Sequence, residues 1–248
     1  MAFFGLFKKE PPLPPADISV LKVDMHSHFI PGIDDGSSNI EESLAMLREM
    51  SALGYRKVVT TPHVMSDGYK NTPEIILGGL EKLRKAVEEA QIPIEVEASA
   101  EYYFDYDFEK SLPQKNKLVF GKKNYLLWEM SFMNKPENIF EVIFKMQTNG
   151  YKPVLAHVER YPFWHNDFAM YENLASRGTL LQLNINSISG QYGASTKKAA
   201  EYLIDNDMIS FLGTDCHHLG HLEVLRKTLT EKYMHKVLAS GKLLNATL

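Results

Sequence analysis

VDMHSHFIPGIDDG, residues 23–36, is a short apolar run that ends in two histidines one residue apart. A loop closed by two aspartates and a glycine follows it. A periodic segment comes next: Ile40, Leu44, Leu47 and Leu53 fall near the 3.6-residue spacing of a helix face. Asn39 stands where an N-cap side chain accepts the unpaired N–H groups of a first turn, and Gly54 where a helix stops. Strand, loop and helix together make one βα unit, with polar residues at the C-terminal end of its strand.

The unit repeats along the chain. Strand candidates are VLKVDMH (20–26), KVVTTPH (57–63), IEVEASAEYY (94–103), YLLWEMS (125–131), KPVLAHVE (152–159), LLQLNIN (180–186) and ISFLGTD (209–215). Helix candidates lie between them at 40–53, 73–90, 136–148, 167–177 and 195–206, and a last one spans 222–240. Pro73 suits a first helical position, where its missing N–H costs nothing. Strands alternating with helices imply a parallel sheet covered by helices, so the fold class is α/β. A closed, barrel-like domain is the preferred architecture and an open doubly wound sheet the alternative. No GxGxxG follows the first strand, which weakens a dinucleotide-binding fold.

Composition narrows the function classes. The 248 residues are 44% hydrophobic and 23% charged, as in ordinary globular domains. A net charge of −4 gives no electrostatic basis for binding nucleic acid. No apolar run approaches the roughly 20 residues that span a bilayer. The single cysteine, Cys216, forms no internal disulfide, which fits a reducing, cytoplasmic setting. In MAFFGLFKKEPPLPP, residues 1–15, the apolar run precedes Lys8 and Lys9, the reverse of a secretory signal. Residues 1–18 therefore read as an arm and proline-rich spacer, and 19–248 as the domain.

In such folds chemistry sits at the C-terminal ends of the strands. The first strand ends at His26 and His28, the second at His63, the third at Glu101, the fourth at Glu129, the fifth at His157, and the seventh at Asp215 and His217. The sixth carries only Asn184 and Asn186, and Asp34 and Asp35 lie in the first loop. Strand side chains repeat every two residues, so His26 and His28 point one way, as do Asp215 and His217. A lone histidine at a strand end is more often structural; so many ends carrying His, Asp or Glu read as one metal cup. Imidazole and carboxylate without thiolate suit manganese, iron or zinc. Eight such side chains and one aspartate of the first loop, nine in all, suit two or three ions. Several ions sharing a water bring its pKa near neutral and clamp a phosphoryl group, so hydroxide attack on an anionic ester is the expected chemistry.

HVERY, residues 157–161, sets His157 and Glu159 on one strand face and Arg160 at the rim. Arginine's fork suits phosphate, although a surface ion pair with Glu159 is the plain alternative. Cys216 lacks the arginine that a cysteine-dependent phosphatase needs six residues on, where Leu222 stands, so it reads as a buried core thiol. DYDF, residues 105–108, lacks the Thr or Val of aspartate-nucleophile phosphatases.

DMHSHFIPGIDDG, TTPH, AEYY, WEMS, AHVERY and TDCH, in this order from residue 24 to 217, resemble the polymerase-and-histidinol-phosphatase (PHP) family. They are most similar to its capsule-associated branch, the manganese-dependent bacterial tyrosine-protein phosphatases. The resemblance implies a single-domain, distorted (βα)7 barrel around a trinuclear centre. It implies His26, His28, Asp35, His63, Glu101, Glu129, His157, Asp215 and His217 as ligands, with Asp35 preferred to Asp34. It also implies Arg160 on the substrate phosphate, manganese as the ion, and phosphotyrosine on an autokinase of exopolysaccharide export as the substrate. The branch often carries a second phosphate-binding arginine after the last ligand; here His221 falls near that place and Arg226 lies further along. A small-molecule phosphatase such as one for histidinol phosphate, and a binding protein without turnover, are the competing functions.

Overall fold

The computed structural model describes residues 13–248, so most of the predicted arm lies outside the described residues. The strands are β1 (Val23–Asp24), β2 (Lys57–Thr60), β3 (His63–Val64), β4 (Glu95–Ala98), β5 (Glu101–Tyr103), β6 (Tyr125–Glu129), β7 (Lys152–Leu155), β8 (Leu180–Asn184) and β9 (Ile209–Gly213). The α-helices are α1 (Ile40–Ala52), α2 (Pro73–Glu89), α3 (Tyr106–Ser111), α4 (Ile139–Thr148), α5 (Ala169–Ser176), α6 (Ala194–Asp205), α7 (Leu219–Thr228) and α8 (Lys232–Ala239). All ladders are parallel, in the orders β1-β2-β4 and β3-β5-β6-β7-β8-β9.

Seven predicted strands become nine because two of them break. Pro62 has no N–H to give a ladder, and it separates β2 from β3. The neighbouring strand breaks at the same level, between β4 and β5, where Glu101 N–H reaches the Pro62 carbonyl at 3.1 Å. Both breaks stay within continuous chain, so the two sheets are one surface. The other seam lies between β1 and β9. There Ser27 bridges Cys216, Asp215 N–H donates to the His26 carbonyl at 2.8 Å, and His28 N–H to the Cys216 carbonyl at 3.0 Å. Below these, the buried Asn245 side chain accepts from Leu212 N–H and donates to the carbonyls of Leu212 and Val23. Asp24 accepts from the backbone and hydroxyl of Thr214 at 2.9 and 2.8 Å. The ring of strands is thereby joined at both seams, as a distorted barrel.

Two buried apolar clusters confirm an inside and an outside. The small one, with Val23, Met25, Val59, Leu127, Val154, Ala156 and Phe211, draws on the strands and plugs the interior. The large one, with Leu126, Trp128, Leu155, Leu181, Leu183 and Leu212, faces the helices. This alternation of two positions the chemistry. Leu127 points inward, so Glu129 does also, one step nearer the mouth.

Asn39 caps α1, accepting from Glu42 N–H at 3.0 Å, and Thr72 caps α2 ahead of Pro73. Three expectations change. The segment 222–240 is two helices rather than one, broken between Thr228 and Lys232, where the Leu229 carbonyl takes the N–H of Ala16 at 2.8 Å. Packing thus begins before residue 19, with Ala16 and Ile18 in the core. An unanticipated helix, α3, is capped by Asp105, whose side chain accepts from Phe108 N–H at 2.8 Å.

Candidate metal centre

The nine side chains proposed as ligands meet at the barrel mouth. Glu101 is the hub, with no exposed surface. Its Oε2 lies 3.1 Å from His26 Nε2, 3.6 Å from His28 Nε2 and 3.2 Å from His63 Nδ1, and its Oε1 lies 3.1 Å from His157 Nε2. Glu129 faces His63 Nδ1 at 3.1 Å and His157 Nε2 at 3.6 Å. Asp215 Oδ1 stands 3.4 Å from both His26 Nε2 and His28 Nε2. Asp35 closes the open side, 3.4 Å from His63 and 3.6 Å from His217. Three sets of donor atoms converge tightly enough to hold an ion: His28, Asp35, His63 and His217; His26, His28, Glu101 and Asp215; and His63, Glu101 and Glu129.

The donor set fits metal better than it fits mutual hydrogen bonding. His28 Nε2 and His63 Nδ1 are buried without hydrogen-bond partners, although carboxylate oxygens lie close to both. Atoms bound to one ion at about 2.0–2.2 Å sit roughly 3–3.6 Å from each other, which is the spacing seen here.

Side chains behind the cluster fix the rings. His28 Nδ1 donates to Asp34 Oδ2 at 2.8 Å, which frees Nε2 for the cavity. Asp34 also accepts from the backbones of Gly36 and His63 at 3.0 and 3.2 Å. The two aspartates therefore differ in role: Asp34 orients, Asp35 faces the cavity. Gln182 Oε1 accepts from His26 Nδ1 at 3.1 Å and from His157 N–H at 2.8 Å. His217 Nδ1 donates to the Asp215 carbonyl at 2.9 Å. Glycines make room: a Cβ on Gly213 would lie 2.8 Å from His26 Cβ, and one on Gly36 would lie 2.3 Å from the His28 carbonyl oxygen. Gly36 is thus required by close approach, not by a left-handed turn.

Two strands deliver their ligand on a left-handed residue. β7 ends at Leu155 and His157 has φ 32°; β9 ends at Gly213 and Asp215 has φ 49°. Non-glycine residues pay for this conformation, and such strain gathers at functional sites. It also corrects the expectation for HVERY. Glu159 lies in a 3-10 turn and does not share a strand face with His157; it is buried and accepts from Asn184 N–H and the Ser187 hydroxyl.

Charge is balanced internally. Burial disfavours a cation at His26, yet Glu101 and Asp215 raise its pKa to about 9. Burial acts alike on His63, and Glu101, Glu129 and Asp35 raise it to about 10. Burial pushes Glu101 and Asp215 up, but the neighbouring histidines hold both well below the usual carboxylate range. Metal cations would take over the balancing from protons.

Arg160 borders the cluster. Its Nη1 donates to Asp215 Oδ2 at 2.8 Å, so the ion pair with Glu159 is not the one formed. Its guanidinium carbon lies 4.2 Å from the Tyr192 ring centre and 5.0 Å from that of Phe132. Tyr192 stays a neutral phenol, since burial and Asp215 push it up to about 12. The Asn184 amide donates to Asp215 Oδ2 and to the Tyr192 hydroxyl at 3.0 and 3.3 Å. The substitutes considered for a second arginine fare differently. His221 touches the backbone at Asp215 and His217, and burial and His218 lower its pKa, so it is a neutral brace. Arg226 turns to Glu49 of α1 and is spent there. Cys216 is fully buried against Met46, and burial pushes its thiol well up.

Asp34 as an orienting residue, Gln182, Tyr192 and Phe132 were not anticipated as parts of the site. A glutamine inward on β8 was the one readable signal, since the same period that points Asn184 inward points Gln182 inward.

Residues 22–242 match the family described as capsular polysaccharide synthesis, CpsB/CapC. The chain is 27% identical over 197 residues to tyrosine-protein phosphatase YwqE of Bacillus subtilis, covering 79% of this chain and 78% of that protein. It is 28% identical over 202 residues to tyrosine-protein phosphatase CpsB of Streptococcus pneumoniae, covering 79% and 83%. A crystal structure from work on YwqE and CpsB, described as unique metal-dependent tyrosine phosphatases, superposes with a TM-score of 0.78 at 24% identity, over 90% of this chain and 94% of that one. The histidinol phosphate phosphatase of Lactococcus lactis, solved with zinc, L-histidinol and phosphate, shares the fold at a TM-score of 0.51 and 15% identity, over 84% and 92%. With most of its length matched, the chain belongs to the CpsB/CapC family.

Proposed function

We propose that this chain is a metal-dependent protein-tyrosine phosphatase. The observation that carries the reading is the meeting of nine imidazole and carboxylate side chains beside Arg160, in a member of the CpsB/CapC family. The relatives named tyrosine-protein phosphatases support phosphotyrosine on a protein as the substrate. The family's tie to capsular polysaccharide synthesis supports an autokinase of exopolysaccharide export as that protein.

His26, His28, Asp35, His63, Glu101, Glu129, His157, Asp215 and His217 would hold two or three divalent ions, manganese being our assignment over iron or zinc. When bound, such ions supply Lewis-acid charge and a water of near-neutral pKa at the phosphoryl group. The chain's residues do the rest. Glu101, His28 and His63 each stand in two donor sets and set their spacing. Asp34 and Gln182 hold His28 and His26 with Nε2 inward. Asp215 fixes one edge of the Arg160 guanidinium, and its remaining N–H groups are free to hold phosphoryl oxygens and to stabilise the charge that builds there. No thiol or carboxylate nucleophile is required, in keeping with the burial of Cys216.

The test is steady-state hydrolysis of a phosphotyrosyl peptide beside histidinol phosphate, before and after chelation. Activity on the peptide is expected to vanish on chelation, to return with manganese, and to be abolished by His157→Ala or Asp215→Ala. Full activity in the stripped protein would overturn the reading. A preference for histidinol phosphate would move the assignment to a small-molecule phosphatase, and tight peptide binding without turnover to a binding protein.

A further inference from the structure

Two clefts flank the ligand cluster, and they differ in chemistry. One, of about 490 Å³, is lined by Asp35, Ser38, Glu42, Met46, His217 and His218. No Lys or Arg faces it, and no large aromatic side chain lines it. The other, of about 420 Å³, opens on Arg160 and is lined by Phe132, Pro162, His165, Tyr192 and the first turn of α6. It pairs the phosphate-type donor with apolar rings.

The two rings of this second cleft are held in place by the site itself. Phe132 packs at 5.4 Å against both His157 and Tyr161, centre to centre. Its loop is pinned by Ser131, whose hydroxyl accepts from the N–H groups of Met133 and Asn134. Tyr192 is tied through Asn184 to Asp215. Both rings touch the guanidinium from their faces, so its unused donors and the ring edges border the same space.

A phosphate ester drawn to Arg160 must place its leaving group somewhere. An alkyl ester leaves apolar surface wet in this cleft, whereas an aryl ester covers it with a flat ring set against the ring edges. We propose that Phe132 and Tyr192 seat the phenyl ring of phosphotyrosine and so make the site selective for aryl over alkyl phosphates. The inference rests on the phosphatase reading above, and it adds specificity residues to it.

The experiment uses the full, manganese-loaded chain with Phe132→Leu and Tyr192→Leu variants, two separate disruptions of the seat. The probes are a phosphotyrosyl peptide, the same peptide carrying phosphoserine, and inorganic phosphate as a competitive inhibitor. Each variant is expected to raise KM for the phosphotyrosyl peptide about five- to tenfold while inhibition by inorganic phosphate moves less than about twofold. The preference for phosphotyrosine over phosphoserine narrows by the same factor. An equal loss of phosphate inhibition would mean that the rings serve only to hold Arg160, and would overturn the proposal. Turnover by the wild type with unchanged KM in both variants would overturn it alone. No turnover of the phosphotyrosyl peptide by the wild type would overturn the phosphatase reading, and this inference with it.

Discussion

Asp34 and Asp35 are adjacent, chemically identical, and divided by their surroundings. The Asp34 side chain is fully buried and takes N–H donors from His28, Gly36 and His63. The Asp35 side chain is 55% exposed and looks into the cluster. Its carboxyl is held down at about 2, first by the hydrogen bond from His217, against a partial burial that acts the other way. Removing an orienting partner of a metal-binding histidine typically lowers metal affinity about 10- to 100-fold. Asp34→Ala is therefore expected to weaken manganese binding by that factor in a calorimetric titration, and unchanged affinity would show that His28 is aligned without it. The motif DDG points to one aspartate as a ligand; it carries no sign that the other aims the ring of His28, because that depends on a contact six residues back.

At the scale of elements, regular strands end early and irregular backbone finishes the work. HxH was legible because alternation in an extended chain brings both rings to one side. HVERY was misread because the same rule was carried past Leu155, where β7 stops and His157 turns left-handed. The β1–β9 seam was hidden for a related reason: side chains from distant segments close it. Asn245 lies far along the chain from Val23, yet it satisfies Val23 and both backbone groups of Leu212. Asn245→Ala leaves those buried groups without partners and is expected to cost about 3 kcal/mol. Urea unfolding of the metal-free protein measures this, and a loss below 0.5 kcal/mol, roughly the low end for a single hydrogen bond, would mean that water or the neighbouring turn replaces the side chain.

Across the whole molecule, a chain of net charge −4 concentrates carboxylates in one buried cup and neutralises them with imidazoles. The pKa values of His26 and His63 are raised to about 9 and about 10, against about 6.5 in an unfolded chain. Both bind protons more tightly when folded. Their contribution to metal-free stability is therefore fully present below about pH 6.5 and is lost as pH rises through 9 to 10. Metal must displace these protons, so affinity climbs with pH and binding releases protons. Thermal unfolding of chelated protein from pH 6 to 10 and manganese calorimetry in buffers of different ionisation enthalpy check the two halves; pH-independent affinity over that range would refute the coupling. The ligand types, their order along the chain and the α/β alternation could be read from the sequence, because they depend on local periodicity and on which residue ends each strand. The division of labour between neighbouring carboxylates, the turning away of Arg226 and the aromatic walls at Arg160 could not. Those depend on which side chains from different βα units meet once the barrel closes, and only the tertiary structure decides that.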